Sequence, residues 1–239
     1  MFNAVRLPLP YVFALLISFL FWAGSAIADV DERLQAEGWD ELIFDNKTAN
    51  RFISGEHGEI EVKSESGVSL LKMPLTVDIK AQPGFRWRWR VVKGAPATDL
   101  SVKGADDRSL AMYVAFPFVA EGATTIERIK RKFVEARAGK DAPGRVLTYV
   151  FGGDGDRGAV IESPYLGNSG MMTILRSADA PTDQWFTETI NLAEDYQRAF
   201  GTLPPDPLYI AIGADTDDTN SVAVGVVKDL EFLAPDRLF

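Results

Sequence analysis

The stretch that decides the fold is FRWRWRVV, residues 85–92, in which aromatic residues alternate with arginines. Because successive side chains of a β-strand point to opposite faces, this alternation predicts one apolar face and one cationic face. We expect Trp87 and Trp89 to face the core, where large aromatic side chains remove much apolar surface from water. In the alternative orientation the tryptophans would form an exposed sugar-stacking platform, which is a costly apolar patch.

The other face of this strand carries three arginines, which we call the arginine ladder: Arg86, Arg88 and Arg90. We expect them on the outer face of a sheet, charge-paired with acids from neighbouring strands. Guanidinium groups also offer planar hydrogen-bond donors to sugar hydroxyls and carboxylates. The ladder is therefore a candidate ligand-binding surface.

Alternation of apolar and polar residues recurs along the chain and indicates strands with one buried face. The segments with this pattern are GEIEVKSE, LTVDIKA, SLAMYVAF, RVLTYVF, MMTILRS, WFTETINL, LYIAIGA and SVAVGVVKDLEFL. Gly, Asp, Asn and Pro separate them, as turns require. Helical patterns occur at residues 124–140 and 193–201. This mixture predicts an all-β protein, an antiparallel β-sandwich of jelly-roll type with one or two short surface helices.

The first 28 residues have the layout of a secretory signal peptide. Arg6 precedes an apolar run over residues 11–23, which is shorter than the roughly 20 residues of a membrane-spanning helix. Small residues stand where a signal peptidase cleaves, so we expect cleavage after Ala28 and a periplasmic or secreted protein. Residues 29–239 then form one β-sandwich domain without a stable membrane span. An uncleaved N-terminal anchor is the alternative.

The composition narrows the classes of function. The chain has no cysteine, which excludes disulfides and thiolate metal sites and suits an exported bacterial protein whose fold needs no disulfides. The formal charge of −9 disfavours nucleic acid and anionic membranes as partners. The single histidine, His57, and the lack of a G-x-S-x-G or phosphate-loop motif disfavour the common hydrolase and nucleotide chemistries. A binding protein therefore fits better than an enzyme.

One carboxylate has an unusual position. In WFTETINL, Glu188 shares a strand face with Phe186 and Ile190, so we expect it to be buried. A buried carboxylate must be paired or protonated, and a ladder arginine is the partner we expect. One interpretation is a structural ion pair. The other is a glycan-active hydrolase that uses Glu188 together with a loop aspartate.

Acid-rich loops between the strands supply the other candidate sites. KGADDRS contributes three candidate ligand-binding residues, Lys103, Asp106 and Asp107. GADTDDTNS contributes three candidate ligands of a structural calcium ion, Asp215, Asp217 and Asn220. Calcium prefers carboxylate, amide and carbonyl oxygens on short loops. The alternative is that these residues simply form turns.

Five short motifs follow one another along the chain: Trp87-x-Trp89, Lys103-x-x-Asp106-Asp107, Trp185-x-x-Glu188, Asp195-Tyr196 and Asp215-x-Asp217-x-Thr219. In this order the chain resembles the DUF3047 family, exported bacterial proteins of unassigned function, from about Trp39 to Phe232. The resemblance implies a β-sandwich related to galactose-binding and lectin-like jelly rolls. It supplies no activity.

Together these features predict an exported, non-catalytic binding module for a carbohydrate or a related envelope component. The prediction depends on the arginine ladder, Glu188 and the acidic loops. Two alternatives stay open: the glycan-active hydrolase described above, and a structural or assembly protein of the envelope that binds another protein.

Overall fold

The computed structural model describes residues 29–120, 128, 131–132 and 142–238. Within them the chain forms thirteen strands: β1 (Asp29–Val30), β2 (Asp40–Ile43), β3 (Arg51–Ser54), β4 (Ile60–Glu65), β5 (Val68–Pro74), β6 (Gly84–Lys93), β7 (Arg108–Phe116), β8 (Arg145–Phe151), β9 (Val160–Ser163), β10 (Gly167–Arg176), β11 (Phe186–Asn191), β12 (Tyr209–Asp215) and β13 (Val222–Leu233). Two helices are α1 (Glu32–Ala36) and α2 (Leu192–Phe200). Short 3-10 turns occupy Glu56–Gly58 and Pro235–Arg237. The predicted helix over residues 124–140 and the predicted signal peptide lie outside the described residues, apart from positions 128, 131 and 132.

The strands form two sheets. The six-stranded sheet has the order β1-β3-β4-β13-β6-β11, and the seven-stranded sheet has the order β2-β5-β12-β7-β8-β10-β9. Neighbouring strands are antiparallel except in the pairs β1–β3 and β8–β10. The second exception arises because β9 takes the sheet edge and β10 returns antiparallel to it, between β9 and β8. The protein is the all-β, mainly antiparallel jelly-roll sandwich that the alternation predicts.

Strand β6 places its aromatic face between the two sheets, as predicted. Trp87 and Trp89 are fully buried. Their ring centroids lie 5.6 Å from those of Tyr149 and Phe151, which face them from β8 of the other sheet. Such aromatic pairs contribute about 0.5–1.5 kcal/mol beyond the burial of their area. The alternative orientation, with the tryptophans outward, is wrong.

The predicted strand LTVDIKA, residues 75–81, is a loop, and the strand lies just before it, as β5. Asp78 forms a local turn, since its Oδ1 accepts a hydrogen bond of 2.9 Å from the amide of Lys80. Ile79 is buried although it lies in this loop. Short-range side-chain bonding by aspartate competes with strand pairing, and here it outweighs the alternating pattern. Strands β1, β2, β3 and β9 are two to four residues long and also escaped prediction.

The predicted helix over residues 193–201 is confirmed as α2. The side chain of Asn191 accepts from the amide of Glu194 at its start, and Gly201 ends it in the left-handed conformation, with φ of 72°. Tyr149 of β8 donates its hydroxyl to Oδ2 of Asp195 at 2.9 Å, which ties α2 to the seven-stranded sheet. Within the described residues, no helix has the length and apolar character that crossing a membrane requires.

Candidate functional site

A group of ionic side chains lies on the outer face of the seven-stranded sheet, at one end of β7 and β12. Arg108 and Asp215 are directly opposite each other in the register of these strands. The outward-facing Tyr113 accepts a hydrogen bond of 3.1 Å from Nε of Arg108. Asp106 lies just before β7. We call these four residues, Asp106, Arg108, Tyr113 and Asp215, the Arg108 cluster.

A single guanidinium group holds two carboxylates in this cluster. Nη1 of Arg108 lies 3.0 Å from Oδ2 of Asp106, and it also donates to the Asp106 carbonyl at 2.6 Å. Nη2 of Arg108 lies 3.2 Å from Oδ2 of Asp215. The side chains of Arg108, Asp106 and Asp215 are 10%, 2% and 9% exposed. The cluster is therefore a buried ionic network with a narrow contact with solvent.

The second oxygen of each carboxylate is unsatisfied. Oδ1 of Asp106 and Oδ1 of Asp215 are buried and have no hydrogen-bond partner within the described residues. Buried polar atoms are nearly always hydrogen-bonded, because leaving one unpaired costs about 1–3 kcal/mol. The two free oxygens are acceptors that are shielded from solvent, so a ligand donor or a water molecule has to enter the cluster to satisfy them.

The electrostatics of the cluster favour a donor or a cation. Burial raises the pKa of Asp215 to about 7; Arg108 opposes this rise, while the charges of Asp107, Asp106 and Asp218 add to it. Burial alone would lower the pKa of Arg108, but Tyr113, Asp215 and Asp106 raise it overall, so the guanidinium stays charged. The cluster therefore holds more negative than positive charge once both aspartates ionise.

Two residues from separate loops lie beside the cluster. Lys103 comes from the loop between β6 and β7, and Tyr165 comes from the turn between β9 and β10. Nζ of Lys103 lies 5.0 Å from the centroid of the Tyr165 ring. Burial and the nearby charges of Asp106 and Asp218 raise the pKa of Tyr165, although the residue as a whole is 55% exposed. The site thus presents an exposed aromatic ring next to buried acceptors.

Asp107 has a different environment from its neighbour Asp106. It is fully buried, and its carboxylate accepts hydrogen bonds from the amides of Asp218 at 3.2 Å and Thr219 at 2.8 Å. The Thr219 hydroxyl donates to the same carboxylate. Asp107 therefore ties the loop before β7 to the turn after β12 and holds the site's loops in place. Its predicted role in contacting ligand stays a prediction.

The predicted calcium ligands are spread over two environments. Asp215 is bound to Arg108, whereas Asp217 forms an ion pair with Lys47. Asn220 has a φ of 49°, in the left-handed region that suits a tight turn. Among the described residues, the group of three carboxylates with oxygens within 4.8 Å of one another is Asp107, Asp217 and Asp218. Calcium binding stays a prediction.

The arginine ladder lies on the outer face of the six-stranded sheet, and two of its three arginines pair with carboxylates of the described residues. Arg88 lies 3.5 Å from a carboxylate oxygen of Asp229 in β13, and Arg90 lies 3.0 Å from one of Asp183, before β11. Arg86 donates to the Thr189 hydroxyl and to the Arg237 carbonyl, both at 3.2 Å. The expected pairing with an acid of a neighbouring strand is thus present for Arg88, whereas Arg90 forms its ion pair with an acid in a loop.

Trp185 completes the ladder face. The guanidinium carbons of Arg88 and Arg90 lie 5.3 and 5.0 Å from the centroid of its ring, and Nζ of Lys228 lies at 4.3 Å. Such cation–π contacts contribute about 0.5–1 kcal/mol each at exposed sites. The alternation of WFTETINL puts Trp185 on the face opposite Glu188, so the sequence held a signal for this contact that the prediction did not use.

Glu188 is buried, as predicted, with 3% of its side chain exposed. The predicted partner is wrong: Nε of Arg176 donates to Oε1 at 2.7 Å, and Nη2 of Arg157 lies 3.5 Å from Oε2. Nε1 of Trp89 also donates to Oε1, at 3.1 Å. Strand β11 pairs with β6 so that Glu188 is opposite Trp87, on the inner face, whereas the ladder arginines lie on the outer face.

The sequence prediction missed Arg108, Arg176 and Tyr165. An irregularity of register between β7 and β12, next to Asp215, shifts the alternation of SLAMYVAF just where Arg108 begins the strand. No local pattern marks Tyr165, because its position depends on two loops meeting.

Solved structures with a similar arrangement include three carbohydrate-related proteins. The family 11 carbohydrate-binding module of the cellulosomal cellulase Lic26A-Cel5E of Clostridium thermocellum is 14% identical, with 82% of this chain and 88% of the module covered and a TM-score of 0.42. The xyloglucanase domain of NopAA from Sinorhizobium fredii is 4% identical, with 82% and 92% covered and a TM-score of 0.44. A cellulase derived from Cel12A of Rhodothermus marinus is 10% identical, with 81% and 94% covered and a TM-score of 0.39. At these identities and TM-scores the likeness says nothing about ligand or activity.

Sequence comparison assigns the family more firmly. No curated protein matches the chain. The family model described as "Protein of unknown function (DUF3047)" matches residues 37–231, which include every strand from β2 to β12 and nearly all of β13. The chain belongs to the DUF3047 family.

Proposed function

We propose that this protein is an exported, non-catalytic binding module for a carbohydrate or a related polyhydroxylated envelope component. Its ligand-binding surface is the Arg108 cluster together with Lys103 and Tyr165. The export proposal depends on the signal-peptide pattern of residues 1–28 and the binding proposal on the geometry of the cluster.

The observation that supports binding most directly is the pair of unsatisfied oxygens, Oδ1 of Asp106 and Oδ1 of Asp215. Sugar hydroxyls donate to such oxygens, and hydrogen bonds to a charged acceptor are about twice as strong as those between neutral groups. The exposed ring of Tyr165 supplies an apolar face for the C–H groups of a sugar. Carboxylates beside an aromatic ring therefore match the mixed polar and apolar surface of a carbohydrate.

The arginine ladder has less capacity for a ligand. Arg88 and Arg90 are bound to protein carboxylates and lie over Trp185. A ligand would have to displace these contacts, so its gain in hydrogen bonding would be partly offset. The ladder stays a candidate surface, and the experiment below compares the two faces.

The experiment is a glycan-array screen of the purified full-length protein as the cell processes it, with calcium and again with a chelator. We expect a carbohydrate hit that Tyr165→Ala weakens about tenfold, which corresponds to the loss of one aromatic contact. Because Tyr165 is more than half exposed, this variant keeps its core contacts. Arg88→Ala is the matched control on the other face and should bind as the wild type does.

The outcomes separate the alternatives. Loss of binding in Arg88→Ala, with Tyr165→Ala unaffected, would move the site to the ladder. A blank array in both conditions would contradict carbohydrate binding and favour a protein partner, to be sought by crosslinking in the periplasm. A hit that the chelator abolishes would support a bound calcium ion.

The hydrolase alternative has weaker support. Both oxygens of Glu188 are engaged by Arg176 and Arg157, so the carboxylate is held as an ion pair inside the sandwich. Turnover of a polysaccharide by the wild type, abolished in a folded Glu188→Gln variant, would establish it against our proposal.

A further inference from the structure

The charge balance of the Arg108 cluster indicates which class of carbohydrate it would bind. This inference rests on the proposed function. Two buried carboxylates share one guanidinium group, and each keeps one oxygen without a partner among the described residues. Asp107 and Asp218 add further negative charge nearby. Lys103, a cation beside the cluster, lies over the Tyr165 ring and makes no ion pair with a described residue. Once both aspartates ionise, one buried negative charge is thus left without a counter-charge.

Arg108 has little capacity left to bind an acidic ligand. A guanidinium group has five N–H donors. Arg108 directs them at the Tyr113 hydroxyl, the Asp106 carbonyl and carboxylate, and the Asp215 carboxylate. Bidentate recognition of a sugar carboxylate or phosphate, the usual role of arginine, would require breaking these contacts. The surrounding aspartates would also repel such a group.

A neutral sugar would satisfy the free oxygens but not the charge. A hydroxyl donates one hydrogen bond and brings no counter-charge. An ammonium group brings three donors and a full positive charge, and charge-assisted bonds of this kind are the stronger ones. In a site this deeply buried, the charge interaction is screened less than at an open surface.

We propose that the Arg108 cluster selects carbohydrates that carry a free ammonium group, that is, amino sugars without an N-acetyl group. The ammonium donates to the free oxygens, Oδ1 of Asp106 and Oδ1 of Asp215, and the sugar ring lies against Tyr165. The discriminating feature is the two-to-one ratio of carboxylate to guanidinium groups, not the negative charge of the whole chain.

The test uses three β-1,4-linked tetrasaccharides that differ at C2 alone: the glucosamine tetramer, the N-acetylglucosamine tetramer and cellotetraose. Their affinities for the wild type are measured by isothermal titration calorimetry in 0.15 M salt. We expect the glucosamine tetramer to bind about tenfold more tightly than the other two, since one charge-assisted contact separates them. In Asp106→Asn this preference should disappear.

Two further variants keep the test decisive if Asp106→Asn fails to fold. Asp218→Asn removes a nearby negative charge from a half-buried position without touching the bonds of Arg108, and it should reduce the preference about two- to threefold. Asp183→Asn removes an exposed carboxylate on the ladder face and changes the net charge of the chain as much as Asp218→Asn does. It should keep the full preference.

The results distinguish this inference from the proposed function. Equal binding of the three tetramers, or preference for a neutral one, overturns the amino-sugar inference and leaves carbohydrate binding standing. If Asp183→Asn reduces the preference as much as Asp218→Asn does, the preference is a general effect of net charge. That result also overturns the amino-sugar inference. No binding of the tetramers, with a neutral glycan found on the array, overturns the inference alone, whereas a blank array overturns both.

Discussion

The two outer faces of the sandwich both carry arginines beside acids, but they balance charge in different ways. On the ladder face, Arg88 and Arg90 each have their own carboxylate, and the acids are more than half exposed. In the Arg108 cluster, two carboxylates share one arginine, and all three side chains are at least nine-tenths buried. Exposed and paired charges contribute little to stability or recognition, whereas buried and unbalanced ones create a demand for a partner. The difference indicates where a ligand belongs.

The largest effect should come from removing the arginine of the buried cluster. Arg108→Met leaves Asp106 and Asp215 without their counter-charge, and breaking a buried ion pair from one side costs about 3–5 kcal/mol. Urea unfolding followed by circular dichroism measures this loss. A loss below about 1 kcal/mol would mean that the cluster is open to solvent and would weaken the contrast between the faces.

The pH dependence of stability should differ between the two faces by an amount similar to the loss expected for Arg108→Met. The pKa of Asp215 is about 7 in the folded protein, above its ordinary value of 3.8. Between these values the folded state keeps a proton that the unfolded chain has lost, so stability falls as pH rises from about 4 to 7 and stays lower above it. The difference of about 3 between the two pKa values corresponds to at most about 4 kcal/mol of stability.

The Asp215→Asn variant has no ionisable group at this position, so its stability should not fall over this pH range. Relative to the wild type, it gains stability between pH 4 and pH 8, as measured by thermal and urea unfolding at each pH. Asp183→Asn, on the ladder face, is the matched control and should follow the wild-type profile. Parallel profiles for wild type and Asp215→Asn would show that Asp215 titrates as an exposed carboxylate does.

A smaller effect should follow from removing the aromatic ring of the ladder face. Trp185→Ala loses contacts with Arg88, Arg90 and Lys228 and should cost about 1–3 kcal/mol in all. The free energy of unfolding gives the cost, and Trp185→Phe should recover part of it. Glycan affinity should stay unchanged; a loss of affinity in a folded Trp185→Ala would place ligand on the ladder face.

The smallest effect should come from a single ladder arginine. Arg88→Ala removes a half-exposed ion pair of 3.5 Å and should change the free energy of unfolding by about 1 kcal/mol or less. Adding 0.5 M salt should reduce the difference further, because salt screens exposed charges. A loss approaching that of Arg108→Met would erase the distinction between the two networks.

The sequence predicted which side chains face the core, but not which side chains contact each other across the two sheets. Strict alternation in residues 85–92 fixes which side chains face the core, and pairing of β11 with β6 carries the same rule to Glu188. The partner of Glu188 was not predictable, because Arg176 comes from the other sheet. Local alternation carries no information about how two sheets face each other.

The Arg108 cluster could be predicted from the sequence only in part. The sequence singled out Lys103 and Asp106 as candidate ligand-binding residues and Asp215 as a candidate calcium ligand, and the structure places Asp106 and Asp215 in the cluster and Lys103 beside it. Arg108 escaped notice because a register irregularity interrupts the alternation at the start of β7. Tyr165 depends on the meeting of two loops that are distant in sequence. Sites assembled from loops therefore require the tertiary structure.

The central claim is that ligand binds at the Arg108 cluster and not at the ladder. The most direct measurement is the affinity of Asp106→Asn and Arg88→Ala for one array-identified glycan, by calorimetry, with folding checked by circular dichroism. We predict at least about tenfold weaker binding for Asp106→Asn, since the charged acceptor is lost, and wild-type binding for Arg88→Ala. Wild-type binding by a folded Asp106→Asn, together with weakened binding by Arg88→Ala, would contradict the account.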